Sequence, residues 1–220
     1  MKLQGGGRHW KSEEHVERWA ELERAIAPQR KIGFRKMLDQ ISADLNSPLT
    51  VLDLGAGDGI VTRFILEHFP NSVATLVDFS VPMIEKGRTR LEAYTGRFRY
   101  ETWDMNVGNW PEILRGPFDA VVSSAALHHL DNSRKDWLVR EVASRLVPGG
   151  VFANYDLFSN PNAQFAEDDT HGKTCATIAE WVQFLLHADY ADISITARYP
   201  RPQHQGELVL VTGRQPKAGS

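Results

Sequence analysis

The stretch VLDLGAGDG, residues Val51–Gly59, decides the fold of this chain. Its first four residues are apolar apart from Asp53 and have the character of a buried parallel strand. Three glycines in the next five positions indicate a tight turn, and the apolar residues after Gly59 recur at helical spacing. Glycine allows positive φ and a close approach to a ligand, while a helix start presents unpaired amides. A strand, a glycine-rich turn and a helix in this order predict a nucleotide-binding site.

The composition is typical of a globular protein with one domain. The chain has 220 residues, of which 42% are hydrophobic and 24% charged. A formal net charge of -3 gives no electrostatic reason to expect nucleic acid or an anionic membrane. One cysteine, Cys175, excludes an internal disulfide and fits a reducing compartment. No apolar run reaches the roughly 20 residues of a membrane span, and the first residues lack a signal-peptide core. We therefore expect a cytoplasmic protein with no nucleic-acid or membrane partner.

Two helices are predicted before the first strand. The first follows Ser12, a plausible N-cap, and ends near Pro28, and the second runs from about Arg30 to Leu45. Because neither could form a domain alone, we expect both to pack over the mouth of the fold. The expected organisation is a helical cap over residues 1–46 and a ligand-binding domain over residues 47–220, together one structural domain.

Strands and helices alternate after the glycine turn. Four further strands are predicted at Ser72–Asp78, Arg97–Trp103, Phe118–Ser123 and Val151–Asp156. The helix before the last of these is expected to end in a turn at Pro148–Gly150. Alternation of helices with apolar strands predicts a parallel α/β sheet.

The last third of the chain has a different pattern. Ser159–Cys175 is polar and is predicted to be a loop or a short lid. Thr177 and Glu180 have the spacing of a capping box at the start of a helix. Two closing strands, at about residues 192–199 and 205–212, are near enough in sequence to pair as an antiparallel hairpin.

Five motifs in a fixed order carry a family resemblance. They are residues 51–59, LVDFS at 76–80, FDAVVSS at 118–124, LHHL at 127–130 and LVPGGV at 146–151. Together they make the chain resemble the class I S-adenosylmethionine (SAM)-dependent methyltransferases over roughly Leu49–Gly213. The resemblance implies a Rossmann-like α/β fold, with a seven-stranded, mostly parallel sheet, helices on both faces and an antiparallel last strand. It also implies SAM as the methyl donor and S-adenosylhomocysteine (SAH) as the product.

The resemblance places the ribose and aminoacyl parts of SAM against the glycine turn. Gly55, Ala56 and Gly57 would lie against them. Asp53 would support the turn or the ligand ammonium, since a carboxylate inside an apolar strand needs a partner. Asp78, at the end of strand two, would accept the ribose hydroxyls, as an acidic residue does in dinucleotide folds.

The adenine and the sulfonium are assigned to the following strand ends. Phe79 and Met83 would pack against the adenine, although either could be ordinary core. Asp104 would accept the adenine amino hydrogen, with an amide from Met105 nearby, although an aspartate there could simply end a strand. Ser123 would lie beneath the sulfonium.

A nicotinamide or flavin dehydrogenase is the alternative interpretation of the glycine turn. That fingerprint is G-x-G-x-x-G, whereas Gly55, Gly57 and Gly59 give G-x-G-x-G with Ile60 in the sixth place. Asp78 suits either ligand. The shifted third glycine and the Pro148–Gly150 turn favour SAM.

Two histidines are the candidate catalytic residues. His128 and His129 follow strand four, where the carboxyl ends of an open α/β sheet form the ligand crevice. An oxygen or protonated nitrogen acceptor needs a base, and histidine suits that role near neutral pH. We rank His128 slightly ahead, with Asp156 orienting it or binding the acceptor. Either histidine could instead only pack near SAM or cap the next helix.

The expected acceptor is a small molecule methylated on oxygen or nitrogen. The chain lacks the Asn- or Asp-Pro-Pro-aromatic tetrapeptide of nucleic-acid and amide nitrogen methylators, and it has no basic patch. Arg30 or Arg201 could bind an anionic group of the acceptor. No metal site is predicted, because adjacent histidines rarely converge on one ion. A protein or RNA methyltransferase and a SAM-binding domain without catalysis remain alternatives, and we expect a monomer or homodimer.

Overall fold

A computed structural model describes residues 30–165, 174–201 and 205–217. The first predicted N-terminal helix and residues 166–173 of the predicted Ser159–Cys175 loop lie outside these residues. A seven-stranded sheet dominates the described chain, in the order β3-β2-β1-β4-β5-β7-β6. The strands are β1 Thr50–Leu54, β2 Val73–Asp78, β3 Phe98–Thr102, β4 Phe118–Ser124, β5 Leu146–Ser159, β6 Ala191–Arg201 and β7 Gly206–Arg214.

The strand pairing confirms the predicted fold class. Strands β1 to β5 pair in parallel, with β1 in the middle between β2 and β4. The last strand, β7, runs antiparallel to both β5 and β6. Parallel strands place their carboxyl ends at one edge of the sheet, so the glycine turn after β1 lies beside the ends of β2 and β4.

Helices cover both faces of the sheet. Helical backbone over residues 30–38, named α1, is followed by α2 Ile60–His68, α3 Val81–Arg90, α4 Asn132–Ala143 and α5 Ile178–His187. Apolar side chains of α1, α2 and α3 pack in one cluster with Val51, Val122 and Tyr155 of the sheet. Those of α4 and α5 pack in a second cluster with Leu52, Val121 and Phe152. Burial on both faces explains why the inner strands β1 and β4 are rich in apolar residues, whereas the edge strands β3 and β6 carry more polar ones.

Short polar side chains begin three of these helices. Ser80 accepts a hydrogen bond from the Met83 amide at the start of α3, and Asp131 caps α4 in the same way. Thr177 and Glu180 form the predicted capping box of α5. Within the described residues, no helix has the length and apolarity to cross a membrane.

The second N-terminal helix is shorter than the apolar spacing predicted. Helical backbone ends at Leu38, and turns that include the Ile41 amide bonded to the Leu38 carbonyl follow it. The prediction of a helix to Leu45 is therefore wrong, and Leu45 is 53% exposed. Ser42, Asp44 and Ser47 favour turns over helix, so the pattern overestimated the length.

The predicted Pro148–Gly150 turn is part of a strand. β5 begins at Leu146, and Phe118 pairs with Leu146 while Ala120 pairs with Val151, so extra residues bulge out of β5. Gly149 absorbs the bulge at φ 82°, a value that glycine adopts readily. The Gly149 amide and the Gly150 carbonyl both bond to Gln215, so the segment keeps its hydrogen bonds.

Candidate functional site

A cleft opens at the carboxyl edge of β1, β2 and β4. It encloses about 770 Å³ of non-atom space, part of which is open to solvent. Its lining comprises Arg30, Gly55, Ala56, Gly57, Asp58, Ile60, Asp78, Phe79, Ser80, Met83, Asp104, Met105, Asn106, Ser124, Ala125, Ala126, His129 and Leu130. This is the crevice position at which open α/β sheets bind ligands.

The glycine turn is held by hydrogen bonds on both sides. Gly55 and Gly57 have φ values of 67° and 55°, which residues with a Cβ rarely adopt. The Gly57 amide donates to Asp78 Oδ2 at 2.8 Å, and its carbonyl accepts from the Tyr100 hydroxyl at 3.0 Å. The Ala56 amide donates to the Val77 carbonyl at 2.9 Å. The turn is therefore a fixed backbone surface against the cleft.

Gly55 also allows close contact with the turn after β4. A Cβ on Gly55 would lie 2.3 Å from the Cβ of Ala126. Real Cβ atoms do not approach so closely, so only glycine fits between the two turns. The turn after β1 and the turn after β4 are therefore in direct contact at Gly55 and Ala126.

Asp78 supports the cleft wall with both carboxylate oxygens. Oδ1 accepts from the Ser80 amide and Oδ2 from the Gly57 amide, each at 2.8 Å. Burial raises the pKa of Asp78, and the amides of Ser80, Gly57 and Phe79 oppose that rise. Each carboxylate oxygen can accept more than one hydrogen bond, so Asp78 can also receive ligand hydroxyls.

Asp53 is a buried carboxyl with one unused oxygen. It is 1% exposed, and the Thr62 hydroxyl donates to Oδ2 at 2.7 Å. Oδ1 accepts no hydrogen bond from the described part of the chain. Burial raises the pKa of Asp53 from 3.8 to about 7. A cation bound behind the glycine turn would satisfy this oxygen.

The far wall of the cleft combines apolar and polar groups. Met83 lies beside the glycine turn, 2.9 Å from where a Cβ on Gly57 would be. Asp104 Oδ1 accepts from the Asn106 amide at 2.9 Å, which fixes the loop after β3. Arg134 of α4 donates to the Met105 carbonyl, so the loop is also held from outside the cleft.

Most of the predicted donor-binding residues come together in this cleft. Eight of them line it, namely Gly55, Ala56, Gly57, Asp78, Phe79, Met83, Asp104 and Met105. Asp53 and Ser123 are not in the lining. The Ser123 hydroxyl donates to the Leu54 carbonyl at 2.8 Å, between β4 and β1. Its role beneath the sulfonium stays a prediction, and the next residue, Ser124, lies in the lining.

The predicted catalytic residues form a connected group. His128 Nδ1 lies 2.5 Å from Asp156 Oδ1, and the His128 amide donates to Asp156 Oδ2 at 3.0 Å. The rings of His128 and His129 lie 4.0 Å apart between centroids. His129 lines the cleft, whereas His128 and Asp156 are buried outside its lining. Both carboxylate oxygens of Asp156 thus hold His128, and the ring of His128 lies against the ring of His129.

The charge of Asp156 is stabilised by its neighbours. Burial raises its pKa, but the positive charge that His128 carries when protonated and the hydrogen bonds from His128 and Leu157 outweigh burial. The net effect is a pKa of Asp156 below its ordinary value. An ionised Asp156 favours a proton on His128 Nδ1 and so fixes the orientation of that ring.

A buried lysine, which the sequence analysis did not single out, braces the histidine turn. Lys135 Nζ donates to the Leu130 carbonyl at 2.6 Å, to Asn132 Oδ1 at 3.2 Å and to the Thr174 carbonyl. Burial lowers the pKa of Lys135 to about 8. Its three contacts join the turn before α4 to the chain before α5. The sequence pattern could have indicated this burial, because Lys135 lies at helical spacing with the buried Leu138, Val139 and Val142.

The sequence analysis also did not single out the cleft residues at the end of β4 and directly after it. Ser124, Ala125 and Ala126 line the cleft, and the Ser124 hydroxyl is buried with no hydrogen-bond partner in the described residues. Ala125 has φ 52°, and its amide donates to the Tyr155 carbonyl at 3.1 Å. Alanine carries no signal for positive φ, so nothing in the sequence indicated this conformation. Across the described residues, no three His, Cys, Asp or Glu side chains group as metal ligands.

Comparison with known sequences finds similarity to methyltransferases. The sequence model of a family described as "Methyltransferase domain" matches residues 52–152. A malonyl-[acyl-carrier protein] O-methyltransferase of Brevibacillus brevis is 25% identical over 190 residues, covering 78% of this chain and 67% of that protein. A demethylmenaquinone methyltransferase of Leptospira interrogans is 33% identical over 124 residues, covering 55% of this chain and 48% of that protein.

Comparison with solved structures agrees on the fold. Phosphoethanolamine N-methyltransferase 2 of Haemonchus contortus, solved with S-adenosyl-L-methionine, superposes with a TM-score of 0.67 at 14% identity. The match covers 84% of this chain and 52% of that one. Across these three proteins, the chain spans between about half and two thirds of the relative's length.

Proposed function

Because the chain belongs to the class I SAM-dependent methyltransferase family, we propose that it transfers a methyl group from SAM to a small-molecule oxygen or nitrogen acceptor. The observation that carries the proposal is the cleft beside the glycine turn, with Asp78 and His129 in its lining. The family supports the donor, and the geometry supports the division of the cleft into two parts. Residues 47–220 would form the catalytic domain under a cap from residues 1–46.

The residues present fit SAM. The unused oxygen of the buried Asp53 suits the ammonium group of the aminoacyl tail, directly or through water. Asp78 retains acceptor capacity for the two ribose hydroxyls, while Met83 and Phe79 offer apolar surface for the adenine. The positive φ values at Gly55 and Gly57 leave the turn without side chains where the ligand would lie.

When bound, SAM would supply a methyl group on a positively charged sulfur. A lone pair of the acceptor would form a bond to the methyl carbon, and the electron pair of the broken carbon–sulfur bond would remain on sulfur. The protein has to align the acceptor with that methyl group and accept the acceptor's proton. His129 lines the cleft and is the better placed base. His128 and Asp156 would act as positioning residues behind it, through the ring contact and the 2.5 Å hydrogen bond. This assignment reverses the slight preference for His128 drawn from the sequence.

The proposed acceptor is a small molecule rather than a nucleic acid. The net charge of -3 gives no support for a nucleic-acid substrate. The related Brevibacillus enzyme is named for O-methylation of malonyl-[acyl-carrier protein], and the Leptospira enzyme is named for methylation of demethylmenaquinone. The buried single cysteine, Cys175, supports a cytoplasmic location.

Transfer of labelled methyl tests the proposal. The full chain is incubated with methyl-labelled SAM and a cell extract separated into small-molecule, protein and RNA fractions. Label in the small-molecule fraction is the expected result. Label only in protein or RNA would replace the small acceptor by a macromolecule. No transfer to any fraction by a protein that binds SAH would indicate a SAM-binding domain without catalysis.

A further inference from the structure

A second group of polar side chains lies at the carboxyl end of the sheet, on the face that α1 covers. Arg30, the first described residue of α1, is 6% exposed and lines the cleft. Its guanidinium carbon lies over the Phe34 ring, 5.2 Å from the ring centroid. Phe34 in turn meets the ring of Tyr155 edge-on, at 6.2 Å between centroids. Arg30 is therefore a buried cation held at the cleft wall beside the end of β5.

The pairing register of β6 and β7 places a second arginine, Arg201, at the same end of the sheet as Arg30. Tyr199 pairs with Leu208 and Arg201 with Gly206 without a break, so Tyr199 and Arg201 point to one face. That face is the α1 face, because Tyr199 packs against the cluster that contains Tyr155 and Leu208. The residue on the other face, Arg198, pairs with Glu207 at 2.8 Å. Arg201 therefore lies at the same end and on the same face as Arg30.

Electrostatics support this proximity. Burial raises the pKa of the Tyr155 hydroxyl, and Tyr199 adds to the rise. The positive charges of Arg201 and Arg30 act on the same hydroxyl in the opposite direction. Both guanidinium groups therefore lie near enough to Tyr155 to interact with it.

An unsatisfied hydroxyl links this group to the cleft. Ser124 pairs with Tyr155 across β4 and β5, so their side chains share the α1 face. Ser124 is 8% exposed, lines the cleft, and its Oγ has no hydrogen-bond partner among the described residues. Buried hydroxyls are normally satisfied, so an unused one in a cleft wall points to a ligand atom.

We propose that Arg30, Ser124, Tyr155 and Arg201, here called the arginine subsite, bind an oxyanion of the methyl acceptor. The acceptor would then be a small molecule that carries a carboxylate or a phosphate. The inference rests on the proposed function, because it names the substrate class of the same cleft. It extends the expectation that Arg30 or Arg201 binds an anion, since the fold places both arginines at the same end and on the same face of the sheet, where both charges act on Tyr155.

The chemistry of these four side chains suits an oxyanion. A guanidinium presents planar pairs of N–H donors that match carboxylate and phosphate oxygens. Tyrosine and serine hydroxyls add single donors, and Phe34 keeps the guanidinium of Arg30 in a fixed plane. A neutral acceptor would leave these donors facing an uncharged group and would lose the charge-assisted hydrogen bonds.

Calorimetric titration of SAH-saturated protein tests the subsite. The probes are benzoate, malonate and inorganic phosphate, with benzamide and malonamide as neutral counterparts. At least one oxyanion is expected to bind, and its amide more than tenfold weaker, because a charge-assisted hydrogen bond contributes about 1.5–3 kcal/mol. The preferred oxyanion distinguishes a carboxylate from a phosphate acceptor. Failure of every oxyanion to bind, or equal affinity for the amide, would overturn the proposal.

Arginine variants add a matched comparison. Arg30→Gln and Arg201→Gln are each expected to weaken oxyanion binding at least tenfold, and Arg30→Lys is expected to retain part of it. Arg35→Gln on α1 and Arg198→Gln on β6 change exposed arginines and should leave binding within twofold. Equal losses in the control variants would count against the subsite.

The titration of SAH separates this inference from the proposed function. Variants that still bind SAH are folded at the cleft, so lost oxyanion binding in them is local. If SAH binds but no oxyanion does, the subsite is wrong and the methyltransferase proposal stands. If SAH does not bind, the methyltransferase proposal fails, and titration of the SAH-free protein still decides whether the arginines bind an oxyanion.

Discussion

The two halves that we propose for the cleft, one for the methyl donor and one for the acceptor, are built in different ways. The donor half, around Gly57 and Asp78, is made of the turns after two neighbouring strands, β1 and β2. Backbone amides of both turns donate to the carboxylate of Asp78 at the end of β2. The acceptor half depends on side chains from distant parts of the chain, such as His128 with Asp156 and Arg30 with Tyr155. A short sequence motif encodes the backbone of the donor half. The side chains of the acceptor half come together only when all strands of the sheet have assembled.

This difference has a physical origin. A glycine turn needs particular φ values, and few residues other than glycine supply them, so the sequence carries a visible signal. A histidine–aspartate pair or an arginine cluster needs only ordinary residues brought together by strand order. The donor half should therefore depend on the glycine turn and the carboxylate that holds it, and the acceptor half on side chains from distant parts of the chain.

The largest expected effect lies in the acceptor half. His129→Gln is expected to lower kcat about 100- to 10,000-fold, the usual contribution of a general base. Affinity for SAH should change little, because His129 belongs to the other half of the cleft. The measurement is steady-state transfer of labelled methyl, with His68→Gln on α2 as a control histidine. Unchanged kcat in His129→Gln beside a large loss in His128→Gln would make His128 the base.

The next effect is a dependence of stability on pH that comes from Asp53. Burial raises the pKa of Asp53 to about 7 from 3.8, so the folded protein holds a proton that the unfolded chain loses. The free energy of unfolding should therefore fall as pH rises from about 4 to 7, by roughly 4 kcal/mol in total. Asp53→Asn keeps an acceptor for Thr62 and should remove this decrease. Urea denaturation of both proteins across that range is the measurement, and parallel curves would contradict the account.

A smaller loss is expected in the donor half from Asp78→Ala. The change removes the acceptor for the Gly57 and Ser80 amides and for the ribose hydroxyls of the ligand. Affinity for SAH should fall roughly 100-fold, since two hydrogen bonds to a charged group contribute about 3 kcal/mol. Asp119→Ala is the control, because that carboxylate also accepts a backbone amide, from Thr50, at the opposite edge of the sheet. Equal affinity in wild type and Asp78→Ala would remove Asp78 from the site.

The smallest effect tests the glycine turn itself. Gly57→Ala forces a Cβ onto a residue at φ 55°, with the mobile end of Met83 2.9 Å away. A shift of the turn and of Met83 that relieves this strain would displace the surface proposed to contact the ligand. A loss of about 1 kcal/mol of contact would lower SAH affinity roughly five- to tenfold. Gly96→Ala has a similar φ, 85°, with no atom within 4 Å of the new Cβ, and should affect stability alone. Similar SAH affinity in both variants would mean that the turn does not touch the ligand.

The same contrast describes what could be predicted from the sequence. The parallel pairing of β1 to β5, the antiparallel β7 and the place in the lining of eight of the ten predicted donor-binding residues follow from motifs with a strong local cause. The length of α1 and the bulge at Gly149 were missed, because turn-forming serines and a shifted register act against simple periodicity. Lys135, Ser124 and the positive φ of Ala125 depend on tertiary contacts that leave little trace in the sequence.

The most direct measurement of the two-part account is calorimetric titration of SAH into three proteins: wild type, Asp78→Ala and Arg30→Gln. The account predicts one SAH site in the wild type, a loss of roughly 100-fold in Asp78→Ala and affinity within about threefold of wild type in Arg30→Gln. No binding to the wild type, or an equal loss in both variants, would contradict it.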